Sequence, residues 1–594
     1  MTMKKLSLIS ANRINMKKLI TLIGIGFIAL LSAFSLRLNN LFNFEKQTGS
    51  GMVPPLSLCG RPGARTILKI MDTTKQMAPL MENLGIYGMK VSTQNALAQK
   101  FFNQGLNLYY GFNHLEAFRS FKEAARLDPS LAMAYWGQAL CLGPNINLPM
   151  DPADAETVNK AVEKSLSLIK NANAKEQALI SALSKRYTTQ ALKDRKPLDE
   201  AYAQAMSETA KQFPDDQEIN TLYAEALMDL HPWDFWKNGK AQPWTNQPVE
   251  IIAGVIAKNN NHPGANHLNI HILEASPEPE KAVLSADRLT MLVPGSGHLV
   301  HMPSHIYIRL GRYIDGVRSN EEAVKTDENY IAQCKAQGVY PLFYYPHNYH
   351  FLLACAQMAG MNKKSEATAL SLQKTIPVNL LTDVNFVTLQ HWYAMPWYNL
   401  VRFGQWDEIL KVARPADSIL YVKAVWHYAR GMAFARTNKI KEANTEFIQL
   451  QNLIDDSFME NTIGGFNSFR NVLSIGVNIL QGEIAVDQKN YGKAIAVLTK
   501  AIEIEDNLLY QEPPDWYHPA RQVLGAVLLE ANQPALAEQR FREDLNQYRD
   551  NGWSLFGLQQ SLSAQGKKLE AAEVKKKFDK AFRQADIQLK GGRF

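Results

Sequence analysis

FFNQGLNLYYGFNHLEAFRSFKEAARLDPS runs from Phe101 to Ser130. Phe101, Gly105, Leu108, Ala117, Phe121, Ala124 and Pro129 fall at positions 4, 8, 11, 20, 24, 27 and 32 of a 34-residue unit that begins at Ala98 or Gln99. The spacing predicts two helices folded into a hairpin. Small residues at positions 8 and 20 let the helices cross closely, and larger ones fill the seam between them. Proline cannot continue the second helix and stops it.

The pattern recurs. NILQGEIAVDQKNYGKAIAVLTKAIEIED repeats it with Gly482, Ala485, Ala494, Leu498 and Ala501. HYARGMAFARTNKIKEANTEFIQL does so with Gly431, Phe434, Ala443 and Phe447. RQVLGAVLLEANQPALAEQRFREDL follows with Gly525, Leu528, Ala537 and Phe541. The final unit, Leu558–Phe582, is charged on its outer side, as a terminal cap requires. From about residue 98 to 585 the chain resembles the tetratricopeptide-repeat family, with a poor fit at 145–215 and 375–420. The resemblance implies an all-α solenoid of helical hairpins, here in two lobes, and a scaffold that holds a protein or peptide partner in its concave groove. No stretch reads as a convincing strand.

The 594 residues divide into a leader at 1–35, an N-terminal arm at 36–90, a repeat lobe at 91–360, an irregular helical joint at 361–420 and a second repeat lobe at 421–594. Lys4, Lys5, Arg13, Lys17 and Lys18 precede the apolar run LITLIGIGFIALLSAF, which reads as a signal peptide cleaved after Ser35 or as an uncleaved anchor. The expected location is therefore the periplasm or cell envelope. Membrane contact is expected only through an uncleaved leader. Residues 1–40 carry six Lys/Arg and no acid, so the net charge of +7 falls to about +1 for the rest. No nucleic-acid partner is expected from that balance. Four cysteines with no close pair make neither a disulfide scaffold nor a thiolate metal knuckle.

Imidazole is concentrated in one region. Eight of the thirteen histidines lie between His262 and His350. His267 and His271 are one helical turn apart, as are His301 and His305, and the two pairs are separated by 34 residues, the repeat period itself. In the repeat register they take positions 5 and 9, which the family resemblance places on the concave face. Pro303 marks a helix start, so the one-turn geometry is looser for His301 and His305. His347 and His350 follow Pro346 at the next helix start. Clustered imidazoles suit a transition ion, zinc, copper, iron or nickel, rather than calcium or magnesium. The expected ligands are His267, His271, His301, His305, His347 and His350. His262 and His298 are weaker candidates, one before a proline and the other in a Gly-rich turn.

Glu274 and Glu225 are the candidate general bases, and also candidate outer-shell acceptors for the ligand rings. No HExxH, nucleophile elbow, phosphate-binding glycine loop or haem attachment motif is present. Zinc hydrolysis and copper or iron oxidation of a small-molecule substrate are thus equally compatible with the sequence. Tyr510–Gly525, with its paired prolines, reads as a rigid turn under Trp516, or less simply as a groove wall. The Trp-rich loop His231–Trp244 lies beside the groove and could cover it.

Overall fold

A computed structural model describes residues 75–189, 194–334 and 340–594. The leader and most of the proposed arm lie outside them. The fold is all-α helical repeat. Its helices are α1 Ala96–Tyr110, α2 His114–Leu127, α3 Ala132–Cys141, α4 Ala155–Ser167, α5 Ala174–Leu183, α6 Lys196–Gln212, α7 Gln217–Asp229, α8 Asn246–Lys258, α9 Pro263–Glu274 and α10 Val283–Leu292. Then come α11 Gly297–His301, α12 Pro303–Arg309, α13 Tyr313–Cys334, α14 Tyr345–Met358, α15 Asn362–Thr375, α16 Leu389–Tyr393, α17 Met395–Arg402 and α18 Trp406–Lys411. The series ends with α19 Leu420–Arg436, α20 Ile440–Ile454, α21 Phe469–Asp487, α22 Tyr491–Asp506, α23 Ala520–Glu530, α24 Pro534–Gln547, α25 Gly552–Ala564 and α26 Lys568–Ala581.

Consecutive helices pair as hairpins, among them α1–α2, α19–α20, α21–α22, α23–α24 and α25–α26. The small residues predicted at the crossings do the work assigned to them. A Cβ on Gly105 would lie 2.8 Å from the Phe121 ring, one on Gly482 2.9 Å from Leu498, and one on Gly525 2.6 Å from Phe541. Phe121 and Phe541 are fully buried, each contributing roughly 1.5–3 kcal/mol of burial. Their rings occupy the space that a side chain at the glycine would need.

One hydrophobic cluster runs from Ala78 to Tyr344 and a second from Leu353 to Ala571. A smaller one, with Ile308, Val317, Phe351 and Tyr548, draws on both parts of the chain. Residues 75–90 form no helix or strand. They lie against α1 and α2: the Met77 N–H donates to Glu123 Oε2 (3.0 Å) and the Met81 N–H to Gln104 Oε1 (2.7 Å). Between 376 and 419 the helices are short. Pro396 sits in the first turn of α17, and Gly404, at φ +63°, ends that helix.

The sequence offers no strand, yet two small antiparallel hairpins are present, β1 Trp236–Lys237 with β2 Lys240–Ala241 and β3 Thr462–Ile463 with β4 Asn467–Ser468. Two-residue strands are too short to show an alternating pattern. Their turns are legible instead, through Asn238-Gly239 and Gly464-Gly465, all at positive φ. Among the described residues no helix is long and apolar enough to cross a membrane. Cys141 and Cys355 are buried.

Candidate metal centre

The break at Pro303 separates α11 from α12 as the proline requires. His301 ends one helix and His305 lies in the first turn of the next. The two rings still converge, with Nε2 atoms 3.0 Å apart. His267 and His271 share one face of α9, their ring centroids 4.6 Å apart.

The histidines gather into two adjacent triads. His267, His271 and His298 each offer a ring nitrogen within 4.8 Å of the others, and so do His301, His305 and His347. Rings of the two triads approach closely: His271 to His305 is 5.9 Å between centroids, and His298 to His301 is also 5.9 Å. A tetrahedral ion with bonds of 2.0–2.1 Å needs nitrogens roughly 3.3 Å apart. The 301/305 pair is already that close, and the ring nitrogens in each triad lie within 4.8 Å of one another.

Hydrogen bonds fix which nitrogen faces inward. His267 Nδ1 donates to the Tyr110 carbonyl (2.6 Å) and His301 Nδ1 to Asn320 Oδ1 (2.7 Å). The Asn320 amide is oriented by its own donation to the Gly316 carbonyl (2.7 Å). His271 Nδ1 donates to Glu274 Oε1 (2.9 Å), and His305 Nδ1 to Glu274 Oε2. Four rings thus carry their N–H on Nδ1 and a lone pair on Nε2. His267 Nε2, His271 Nε2 and both nitrogens of His298 are buried without a hydrogen-bond partner among the described residues. Each such atom costs about 1–3 kcal/mol unless something satisfies it.

Electrostatics favour neutral rings. Burial holds the imidazoles of His267, His298, His301 and His347 well below their usual range, and brings His305 to about 3. His271 is also lowered by burial, against the opposing pull of Glu274. Burial raises Glu274 in turn, with His271 working the other way.

The sequence candidates divide. His267, His271, His301, His305 and His347 come together in the triads. His350 does not join either one: it is buried on α14, lines the cavity beside them, and sets its ring edge-on to His391 at 5.7 Å. Its ring packs against His391 and Trp392 (6.4 Å) rather than against the triads. Glu274 is in the site, but both its oxygens hold ring N–H groups, the position of an orienting acceptor. Glu225 is not brought to the cavity. It accepts from Tyr109 Oη (2.7 Å) and sits near Asp229, which is ion-paired with buried Arg186 (2.7 Å). Burial, then the Asp229 charge, pushes its carboxyl up to about 8. His262 caps α9, its Nδ1 accepting from the Ala265 N–H (3.2 Å), while Nε2 meets Tyr87 Oη (2.8 Å).

His298 and Glu512 also join the site. His298 belongs to the first triad because α11 starts at Gly297, where the Gly-Ser-Gly run suggests a turn. Glu512, from the proline-rich turn, puts Oε2 3.6 Å from His305 Nδ1, and it groups with Glu274 and His305. A cavity of about 540 Å³ opens beside His271, His298, His305 and His347. Trp233 lines it, together with Thr462–Phe466 and Tyr510–Pro513.

No family model matches this chain, and no curated relative does. Solved structures do match. The human IFIT1 dimer with m7Gppp-AAAA is 13% identical, over 87% of this chain and 100% of that one, with a TM-score of 0.30. The APC/C hetero-tetramer Cut9–Hcn1 is 12% identical, over 82% and 76%, with a TM-score of 0.29.

Proposed function

We propose that this chain is an exported helical-repeat protein that binds transition-metal ions through its two histidine triads, beside a cavity that admits a small molecule. The convergence of His301 and His305 carries the reading. Both Nδ1 atoms donate to oxygens, so both Nε2 atoms present lone pairs, 3.0 Å apart in a buried site. Two lone pairs persist at that distance only around a cation or a shared proton. Burial disfavours the extra proton, and nitrogen ligands suit zinc, copper, iron or nickel. The orphaned nitrogens of His267, His271 and His298 make the same demand a second time. The basic, apolar leader supports export.

Elemental analysis of the purified chain, and of zinc-reconstituted protein after dialysis, tests the reading. One or two ions per chain are expected, and His301→Ala with His305→Ala should remove at least one. Metal content unchanged in a folded double variant refutes the assignment. The other reading, a scaffold for a protein or peptide partner, rests on the repeat hairpins and requires partner affinity that chelation leaves unchanged.

A further inference from the structure

Away from the histidines the cavity wall changes character. Trp233, Phe343, Tyr344, Trp392 and Phe466 line it. Trp233 stands edge-on to His271 (5.4 Å, 89°) on one side and to Phe466 (6.4 Å, 85°) on the other. Its backbone lies at φ +61°, a conformation that costs a bulky residue roughly 1–2 kcal/mol. The indole is held there by its N–H donating to Asn147 Oδ1 (3.2 Å). Phe466 is carried in by the β3–β4 hairpin, whose Gly464 N–H donates to Thr388 Oγ1 (3.0 Å). Phe343 packs edge-on to Trp392 at 6.1 Å. Five rings from four separate segments therefore frame one space.

The charges in the lining narrow the occupant. Glu274, Glu512 and Asp515 contribute carboxyls, whereas among the described residues no Lys or Arg lines the cavity and Arg309, 3.9 Å from Glu512, lies behind its wall. Without a bound ion, a phosphate or a carboxylate would find no cationic side chain in that lining. At about 540 Å³ the space is several times the roughly 150 Å³ that accommodates benzene. Two or three rings fit.

We propose that the cavity takes a small uncharged aromatic molecule, its ring among Trp233, Phe466 and Trp392 and its polar edge toward the inward-facing histidine nitrogens. The orientation rests on the metal reading above; the aromatic selectivity does not. Edge-to-face ring contacts then supply most of the recognition.

The test is a fluorescence titration of the full chain, first metal-free, where the selectivity is read, and then zinc-reconstituted, with 2-naphthol and with its anionic counterpart naphthalene-2-sulfonate. One 2-naphthol per chain is expected, at least tenfold tighter than the sulfonate. Phe466→Ala and Trp392→Ala should each raise its Kd about two- to tenfold, with zinc content and melting temperature retained. Phe466 is half-buried on a surface hairpin, so its replacement leaves the helices in place. The proposal is overturned if the sulfonate binds equally well, or if both folded variants keep Kd within twofold of the parent. A chain that holds no zinc yet binds 2-naphthol with this dependence overturns the metal centre and supports the aromatic site. Zinc binding without naphthol binding overturns the aromatic site alone.

Discussion

Replacing Glu274 by glutamine changes almost no volume but removes one acceptor. In the native site each carboxylate oxygen takes one N–H, from His271 on one side and His305 on the other. An amide has one acceptor oxygen and one NH2 group. Whichever ring faces the NH2 meets donor against donor in a fully buried place. It escapes by moving its proton to Nε2, and the lone pair that faces the metal is then lost. The cost is that of one buried unmade hydrogen bond, about 1–3 kcal/mol, which corresponds to roughly 5- to 150-fold in affinity. Loss of an outer-shell acceptor at metal sites typically weakens binding 10- to 100-fold, so the two estimates agree. The defect should be unequal, with one triad weakened by about that factor and the other near its parent value. Zinc titration against a chromogenic chelator resolves the two sites, with far-ultraviolet circular dichroism and melting temperature as folding controls. Parent affinity at both sites in a folded Glu274→Gln protein would refute the tautomer argument.

Three further outcomes are expected. Asn320→Leu removes the acceptor for His301 Nδ1 and should weaken zinc binding at the second triad about 10- to 100-fold, while Asn320→Asp retains it; the same chelator titration reads both. Gly525→Ala drives a Cβ to 2.6 Å from Phe541; overpacking of about 1–3 kcal/mol outweighs the roughly 1 kcal/mol gained in helix propensity, and the urea midpoint should fall. Burial, opposed by the Ala520 N–H, lifts the Glu505 carboxyl from 4.5 to about 8. A raised folded value means the native state holds the proton more tightly, so this contribution is complete below pH 4.5 and is lost as pH rises through 8. Thermal melts should therefore show Glu505→Gln losing less stability than the parent between pH 5 and 9, by a difference on the order of a few kcal/mol.

The repeats are legible in the sequence because close helix crossing is a local demand. Gly105 and Phe121 lie within one 34-residue unit, and each position is explained by the other. The His267/His271 pair is legible for the same reason, being a single turn of one helix. Pro303 also announces the break it makes. The cavity is harder to read, because Asn147, Trp233, Phe343, Thr462 and Glu512 reach it from segments scattered between residues 147 and 512, and no periodicity links them. His298 illustrates a smaller failure: glycines that suggest a turn instead precede and open a five-residue helix. Glu225 has the right register, yet Tyr109 and its neighbouring polar network hold it elsewhere, a tertiary outcome invisible to spacing.

The single carboxylate that spans both triads also makes them one thermodynamic system. An ion on His271 Nε2 acidifies that ring's N–H and draws Glu274 charge toward it, leaving His305 a poorer acceptor and a less basic Nε2. By linkage the effect is reciprocal: whichever triad fills first makes the other fill more reluctantly. Loading should then be negatively cooperative, with a Hill coefficient below one.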